Sequence, residues 1–178
     1  DAEADELRAT DNAQLATYVA SLLVLEAVRQ AGIEASFVAG HSLGEYSALT
    51  AAGVLSLADG ARLVAARGAA MRHATERHEG TMAAVLGADD DAVEAACAQA
   101  RSEGHDVWVA NFNAPGQVVI AGSPGGIEAA GALARANGAK RVMAVAVAGA
   151  FHTPYMAAAQ DRLDAALAGV RWLDPVVV

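Results

Sequence analysis

Phe37-Val38-Ala39-Gly40-His41-Ser42-Leu43-Gly44 joins a short apolar run to an Ala/Leu-rich segment. This order predicts a strand over residues 35–39, a Gly-x-Ser-x-Gly turn and a helix over 43–52, the arrangement of a nucleophile elbow. The two glycines permit a strained turn that larger side chains would obstruct. Such a turn directs the Ser42 hydroxyl outward and aims the first N–H groups of the helix at it, which favours an oxyanion there. In the alternative interpretation, Ser42 only caps the helix.

The composition indicates an α/β protein. Of 178 residues, 54% are hydrophobic and 17 are glycine, which suits close packing of helices on a sheet. The net charge of −9 argues against a nucleic-acid partner. The uncharged runs 12–25 and 142–160 are too short or too interrupted to predict a membrane span. A single cysteine, Cys97, excludes an intrachain disulfide and favours a reducing, cytoplasmic location.

Helical and strand patterns alternate along the chain. Helices are predicted over 12–31, 43–52 and 56–78, with Ser56 and Asp59 forming a capping box. After Gly80 the order becomes β-α-β-β-α-β, that of a ferredoxin-like unit. We therefore expect a small subdomain over 80–146, inserted into a large one formed by 1–79 and 147–178. The first residue is not Met and the last residues are apolar, so we expect a chain truncated at both ends.

A serine nucleophile needs a base within hydrogen-bond reach. His152 follows a predicted strand over 141–147 and precedes Thr153-Pro154, a pair typical of a helix start. Strand-to-helix junctions of one sheet converge at its carboxyl edge, so His152 is predicted as the base, with a structural histidine as the alternative. No acid is placed to complete a Ser-His-Asp triad, and this disfavours a hydrolase.

Arg67 interrupts an apolar helical stripe. The stripe comprises Leu63, Val64, Arg67, Ala70, Met71 and Ala74. An arginine buried on such a face needs a partner. That partner is either an internal carboxylate or an anionic group of a substrate, whose two oxygens suit the planar guanidinium.

Several motifs together resemble one enzyme family. They are the runs 40–48 (GHSLGEYSA), 67–68 (RG), 111–122 (NFNAPGQVVIAG), 138–141 (GAKR) and 150–152 (AFH). In this order they resemble the malonyl-CoA:acyl-carrier-protein transacylases and the related acyltransferase domains of polyketide synthases. The resemblance implies an α/β-hydrolase-like large subdomain with a ferredoxin-like insert.

The resemblance also implies roles for individual residues. Ser42 would carry the acyl group, His152 would be its base, Arg67 would hold the malonyl carboxylate and the Leu43 N–H would form half of an oxyanion hole. The other implied substrate-binding positions are Asn113, Phe151 and Gln14. Phe151 and Leu43 suggest malonyl rather than methylmalonyl. Family segments that supply the other oxyanion donor and orient the histidine would lie outside residues 1–178.

The implied reaction is a ping-pong transfer from malonyl-CoA to the phosphopantetheine thiol of an acyl carrier protein. Carrier proteins of this kind are acidic, so Lys140 and Arg141 are the candidate docking residues, with Arg62 and Arg72 as further ones. Neither metal-ligand spacing nor a dinucleotide fingerprint occurs, so we expect no metal and no cofactor, malonyl-CoA being a substrate. A serine thioesterase or esterase and an inactive docking fragment are the alternatives.

Overall fold

The protein divides into two units. The structure is a computed structural model that describes residues 6–7, 9–147 and 149–177. One unit comprises described residues of 1–72 and 159–178, and the other comprises those of 73–158. The second unit thus includes residues on either side of the 80–146 segment delimited from the sequence. None of the described helices is long and apolar enough to cross a bilayer.

The first unit is helical in its described part. Its helices are α1 (Thr10–Gln30), α2 (Gly44–Ala51), most of α3 (Leu57–Thr75) and most of α6 (Ala157–Ala168). Tyr18 of α1 is fully buried, and its hydroxyl donates a hydrogen bond of 3.4 Å to the Leu57 carbonyl at the start of α3. The Tyr18 hydroxyl also shares a hydrogen bond of 2.8 Å with Thr50 Oγ1 of α2. These contacts fix α2, and with it the turn that precedes it, against the two longer helices.

Helix α3 begins at the predicted capping box. The Ser56 hydroxyl oxygen accepts a hydrogen bond of 3.0 Å from the Asp59 N–H and donates one of 2.7 Å to the Asp59 carboxylate. This satisfies a backbone donor that the first helical turn leaves without a partner. The cap therefore sets the start of α3 and the phase of its buried face, which carries Arg67.

The predicted strand over 35–39 is wrong for the described structure. These residues form no strand and include a bend at Ser36, and Phe37 is 78% exposed. A strand requires a neighbour that accepts and donates its ladder hydrogen bonds. No described strand pairs with 35–39, so this apolar run belongs to no sheet within the described residues.

The second unit contains a four-stranded antiparallel sheet in the order β2-β3-β1-β4. Along the chain its elements are β1 (Thr81–Leu86), α4 (Asp90–Ser102), β2 (Val107–Ala114), β3 (Gln117–Gly122), α5 (Pro124–Ala136) and β4 (Arg141–Val145). One core cluster packs the sheet against α4 and α5, with Val93, Ile120 and Ala134 buried in it. The pattern of strand and helix predicted after Gly80 is confirmed.

A second, smaller cluster involves the segment that follows β4. Met82 and Ala121 of the sheet pack with Ala150, and the half-buried Phe151 and Tyr155 lie against them. A Cβ atom on Gly80 would lie 2.7 Å from the Ala150 backbone nitrogen, so Gly80 is what allows this close approach. The sheet therefore holds the segment around residue 152 in place.

Candidate active site

Ser42 lies in a sharp turn with a left-handed backbone. Its φ is +54°, and His152 is the other described non-glycine residue with a positive φ. A Cβ on Gly40 would overlap the Gly44 carbonyl group and the Glu45 nitrogen. The turn is closed by the Gly44 N–H, which donates to the His41 carbonyl at 2.9 Å. The left-handed conformation costs Ser42 about 1 kcal/mol, so the surrounding contacts must hold it there.

The Leu43 N–H lies at the start of α2. Leu43 is the N-cap residue of this helix. Its N–H donates no hydrogen bond to any acceptor within the described residues. A donor at the positive end of a helix, next to the Ser42 hydroxyl in the chain, can stabilise negative charge on an oxygen bound there.

Arg67 contacts Ser42 directly. Its Nη2 donates a hydrogen bond of 2.9 Å to the Ser42 Oγ. Its Nη1 donates to the Gln14 side-chain oxygen, and its Cζ lies 5.9 Å from the centre of the Tyr46 ring. Among the described residues, none of the ion pairs involves Arg67. Of the two partners left open by the sequence, an internal carboxylate is therefore not found in this part of the chain.

Burial acts on the charge of the Arg67 guanidinium. It lowers the pKa of Arg67, while the nearby Tyr46 and Glu45 act in the opposite direction. Burial also raises the pKa of the Tyr46 phenol, against the effect of the Arg67 charge. An arginine with a lowered pKa remains protonated at neutral pH because its ordinary value is so high. The site thus offers a fixed positive charge beside the serine hydroxyl.

Gln14 and Tyr46 hold the guanidinium in place. Gln14 is only 8% exposed, and its amide nitrogen donates to the Met71 sulfur at 3.4 Å. The amide oxygen is thereby turned toward Arg67. Tyr46 belongs to the 40–48 motif but was not singled out from the sequence. Its position in the first turn of the helix that follows Ser42 is the signal that could have found it.

His152 also has a left-handed backbone, with φ +60°. The next residue, Thr153, donates from its hydroxyl to the Ala150 carbonyl at 2.6 Å and accepts from the Tyr155 N–H at 3.3 Å. Thr153 caps a short 3₁₀ helix, Pro154–Met156, as the Thr-Pro pair predicted. His152 itself is exposed, although Ala150, two residues before it, and Thr153, which follows it, are both buried.

The remaining predicted residues belong to the second unit. Asn113 is exposed near the end of β2, and Phe151 is half-buried beside the sheet. Ser42, Arg67, Gln14 and Leu43 belong to the first unit, whereas His152, Phe151, Asn113, Lys140 and Arg141 belong to the second. The structure brings Ser42, Arg67 and Gln14 into contact.

The candidate docking residues differ in their ion pairs. Lys140 and Arg141 are exposed, and neither forms an ion pair with a described residue. Arg62 pairs with Asp59, and Arg72 pairs with Asp11 at 3.5 Å. In the described part of the chain, no group of three or more His, Cys, Asp or Glu side chains is arranged to hold a metal ion.

A left-handed serine between two glycines, followed by a helix start whose first N–H has no acceptor among the described residues, is a turn of the nucleophile-elbow type. The family model described as acyl transferase domain matches residues 1–177. The chain belongs to the acyl transferase domain family.

Individual relatives agree with this assignment. The chain is 46% identical over 165 residues to the malonyl CoA-acyl carrier protein transacylase of Bacillus subtilis, covering 93% of this chain and 52% of the relative. Its identity to the Escherichia coli K12 protein of the same name is 44% over 175 residues, covering 98% and 56%. The chain thus spans about half the length of the curated relatives it matches.

Solved structures give the same result. An acyl-carrier-protein S-malonyltransferase from Burkholderia pseudomallei superposes with a TM-score of 0.92 at 45% identity, covering 99% of this chain and 58% of the other. A malonyl-transacylase solved in complex with its type II polyketide-synthase acyl-carrier protein superposes with a TM-score of 0.93 at 39% identity, covering 98% and 57%.

The backbone strain at Ser42 can be measured. We expect Ser42→Gly to have a free energy of unfolding about 1 kcal/mol higher than Ser42→Ala, because glycine has no Cβ penalty at this φ. Ser47→Gly and Ser47→Ala, on the regular helix α2, are the matched control and should differ in the opposite direction by about 0.5–1 kcal/mol. Urea denaturation of the four variants measures both differences. The same sign at both positions would contradict a strained turn.

Proposed function

We propose that this chain carries the acyl-transfer site of a malonyl-CoA:acyl carrier protein transacylase. In this reaction a malonyl group passes from the thioester of malonyl-CoA to Ser42, and then to the phosphopantetheine thiol of an acyl carrier protein. The observation that carries the proposal is the hydrogen bond of 2.9 Å between Arg67 and the Ser42 hydroxyl. It places a cation, which has no carboxylate partner in the described part of the chain, directly beside the group that would be acylated.

Arg67 would recognise the free carboxylate of malonate. A guanidinium binds both oxygens of a carboxylate with parallel hydrogen bonds, and such bonds are among the strongest in proteins. Gln14 holds one nitrogen of the guanidinium, and the Tyr46 ring lies close to its carbon. Fixing the cation in advance reduces the ordering cost of substrate binding. An acetyl group has no free carboxylate, so it gains nothing from this arrangement.

Ser42 and His152 would perform the chemistry. His152 takes the hydroxyl proton as Ser42 Oγ attacks the thioester carbonyl, and the proton passes to the departing CoA thiolate. The Leu43 N–H stabilises the oxyanion of the tetrahedral intermediate. In the second half-reaction His152 takes the proton of the carrier thiol, which attacks the malonyl-serine ester and releases the Ser42 hydroxyl. The family membership supports these roles, which the resemblance assigns to matching positions.

The finer assignments belong to the same proposal. Asn113 and Phe151 would line the substrate site, and Phe151 with Leu43 would favour malonyl over methylmalonyl. We assign residues 80–146 as the ferredoxin-like subdomain, on the evidence of their β-α-β-β-α-β order and β2-β3-β1-β4 sheet. The remainder would belong to an α/β-hydrolase-like subdomain.

An acidic acyl carrier protein is the proposed partner. The relative solved in complex with an acyl-carrier protein supports this choice. Lys140 and Arg141 are the docking residues best supported by the described part of the chain, because Arg62 and Arg72 already pair with carboxylates there. Unpaired cations on the surface attract an acidic partner and raise its association rate.

Replacing Arg67 tests the carboxylate recognition. We expect Arg67→Ala to reduce transfer from malonyl-CoA about 10- to 100-fold, because the loss of a hydrogen bond between charged groups changes a rate by about this factor. Transfer from acetyl-CoA should change less than threefold or so. Arg62→Ala, an exposed arginine on the same helix, is the control and should retain both activities. Single-turnover acylation of Ser42 with each donor provides the measurement. Equal losses with both donors would contradict the assignment, and thiol-independent hydrolysis of malonyl-CoA would favour a thioesterase.

Reversing charge at the docking residues tests the partner. We expect Lys140→Glu with Arg141→Glu to lower kcat/KM for the carrier protein about tenfold at low ionic strength, because like charges repel the acidic partner. The rate of Ser42 acylation by malonyl-CoA should remain unchanged. Added salt should reduce the difference, since it screens charges on the surface. A loss that is equal in both half-reactions, or independent of salt, would contradict the docking assignment.

A further inference from the structure

Tyr155 contacts three separate segments of the second unit. Its hydroxyl donates a hydrogen bond of 2.8 Å to the Asp106 carboxylate. Its ring stacks on His78, with the centroids 4.7 Å apart and the planes inclined by 26°. The edge of Trp108 lies against it at 5.6 Å and 68°. We call Tyr155, Asp106, His78 and Trp108 the Tyr155 cluster.

The partners of Tyr155 are themselves fixed. The Asp106 carbonyl oxygen accepts a hydrogen bond of 2.8 Å from the Ser123 N–H at the start of α5. Trp108 belongs to β2 and pairs with Ala121 of β3. The cluster therefore connects Tyr155 to the sheet through Trp108 and to the start of α5 through Asp106.

His152 lies between two anchored points of the chain. On one side, Ala150 is 1% exposed and fits closely against Gly80. On the other, Thr153 is bonded back to the Ala150 carbonyl, and its hydroxyl oxygen and carbonyl accept from the N–H groups of Tyr155 and Met156. A histidine keeps a left-handed backbone only where its flanking residues are held in this way. Tyr155 is the large side chain that connects the 153–156 turn to the rest of the second unit.

We propose that Tyr155 is a positioning residue, whose hydrogen bond to Asp106 fixes the 153–156 turn and thereby the direction in which His152 presents its imidazole. The consequence for catalysis rests on the proposed function, in which His152 is the base. Burial and the adjacent carboxylate raise the pKa of Tyr155, so its hydroxyl remains a donor at neutral pH. A small displacement of a base is sufficient to slow proton transfer, since the transition state requires a fixed geometry.

Amide hydrogen exchange tests the structural part of the proposal. In Tyr155→Phe the hydroxyl is lost and the aromatic ring is kept. We expect the amides at 155 and 156, which bond to Thr153, to exchange about tenfold faster than in the wild type. The amide of Ile120 in the sheet should be unchanged. Exchange at 155 and 156 equal to that of the wild type would overturn the proposal.

Two substitutions of Asp106 test the same hydrogen bond from its acceptor side, since one keeps an acceptor and the other removes it. Asp106→Asn keeps an oxygen that accepts from the Tyr155 hydroxyl, so the amides at 155 and 156 should exchange nearly as slowly as in the wild type. In Asp106→Ala, the amides at 155 and 156 should exchange as fast as in Tyr155→Phe. The double variant Asp106→Ala with Tyr155→Phe should exchange no faster than either single variant, as expected when two residues act through one bond. Tyr18→Phe, which loses a hydroxyl bond to Thr50 in the first unit, should leave exchange at 155 and 156 unchanged. An additive double variant, or an effect of Tyr18→Phe at these amides, would overturn the proposal.

The kinetic measurement separates this proposal from the proposed function. We expect Tyr155→Phe to lower kcat for Ser42 acylation about three- to tenfold with the KM for malonyl-CoA unchanged, and Asp106→Asn to retain kcat. Faster exchange with kcat unchanged would overturn the positioning of His152. A wild-type chain that forms no malonyl-serine would overturn the proposed function, while the exchange data would still decide whether Tyr155 fixes the turn.

Discussion

The left-handed backbone of Ser42 exists because Gly40 has no side chain. Any Cβ at residue 40 would occupy the space of the Gly44 carbonyl, and the turn could not close. With the turn closed, the Ser42 hydroxyl lies 2.9 Å from Arg67 and the Leu43 N–H stands at the start of α2 with no described acceptor. The steric constraint at Gly40 thus allows the turn that brings the Ser42 hydroxyl to the Arg67 guanidinium and precedes the start of α2.

In the proposed function, Arg67 would make the site selective for its acyl donor. A half-buried guanidinium loses hydration, and it is retained where other groups compensate or where a ligand needs it. Its direct contacts within the described residues are with neutral groups, namely the Gln14 amide, the Ser42 hydroxyl and the Tyr46 ring. Glu45 also favours the charged form of Arg67, but no described ion pair joins the two side chains. Neutral partners hold the cation without cancelling its charge, so the site retains attraction for an anionic acyl group. We infer selectivity for a dicarboxylic acyl donor from this balance.

Local signals in the sequence predicted much of the fold, and distant contacts lay beyond them. The capping box at Ser56, the Thr153-Pro154 helix start and the order of strands and helices after Gly80 are confirmed because each depends on residues close in the chain. The strand over 35–39 was wrong because a strand depends on a partner that its own residues do not reveal. Arg67 was singled out by periodicity, but its contact with Gln14 and the bond from Tyr155 to Asp106 join segments far apart in the chain.

The most direct test of the whole account is peptide mass spectrometry after brief mixing of the chain with malonyl-CoA. We expect one malonyl adduct on the peptide that contains Ser42, absent in Ser42→Ala and removed when the phosphopantetheine thiol of a carrier protein is added. An adduct on another residue, or a folded chain that remains unmodified, would contradict the assignment of Ser42 as the acyl-bearing nucleophile of this chain.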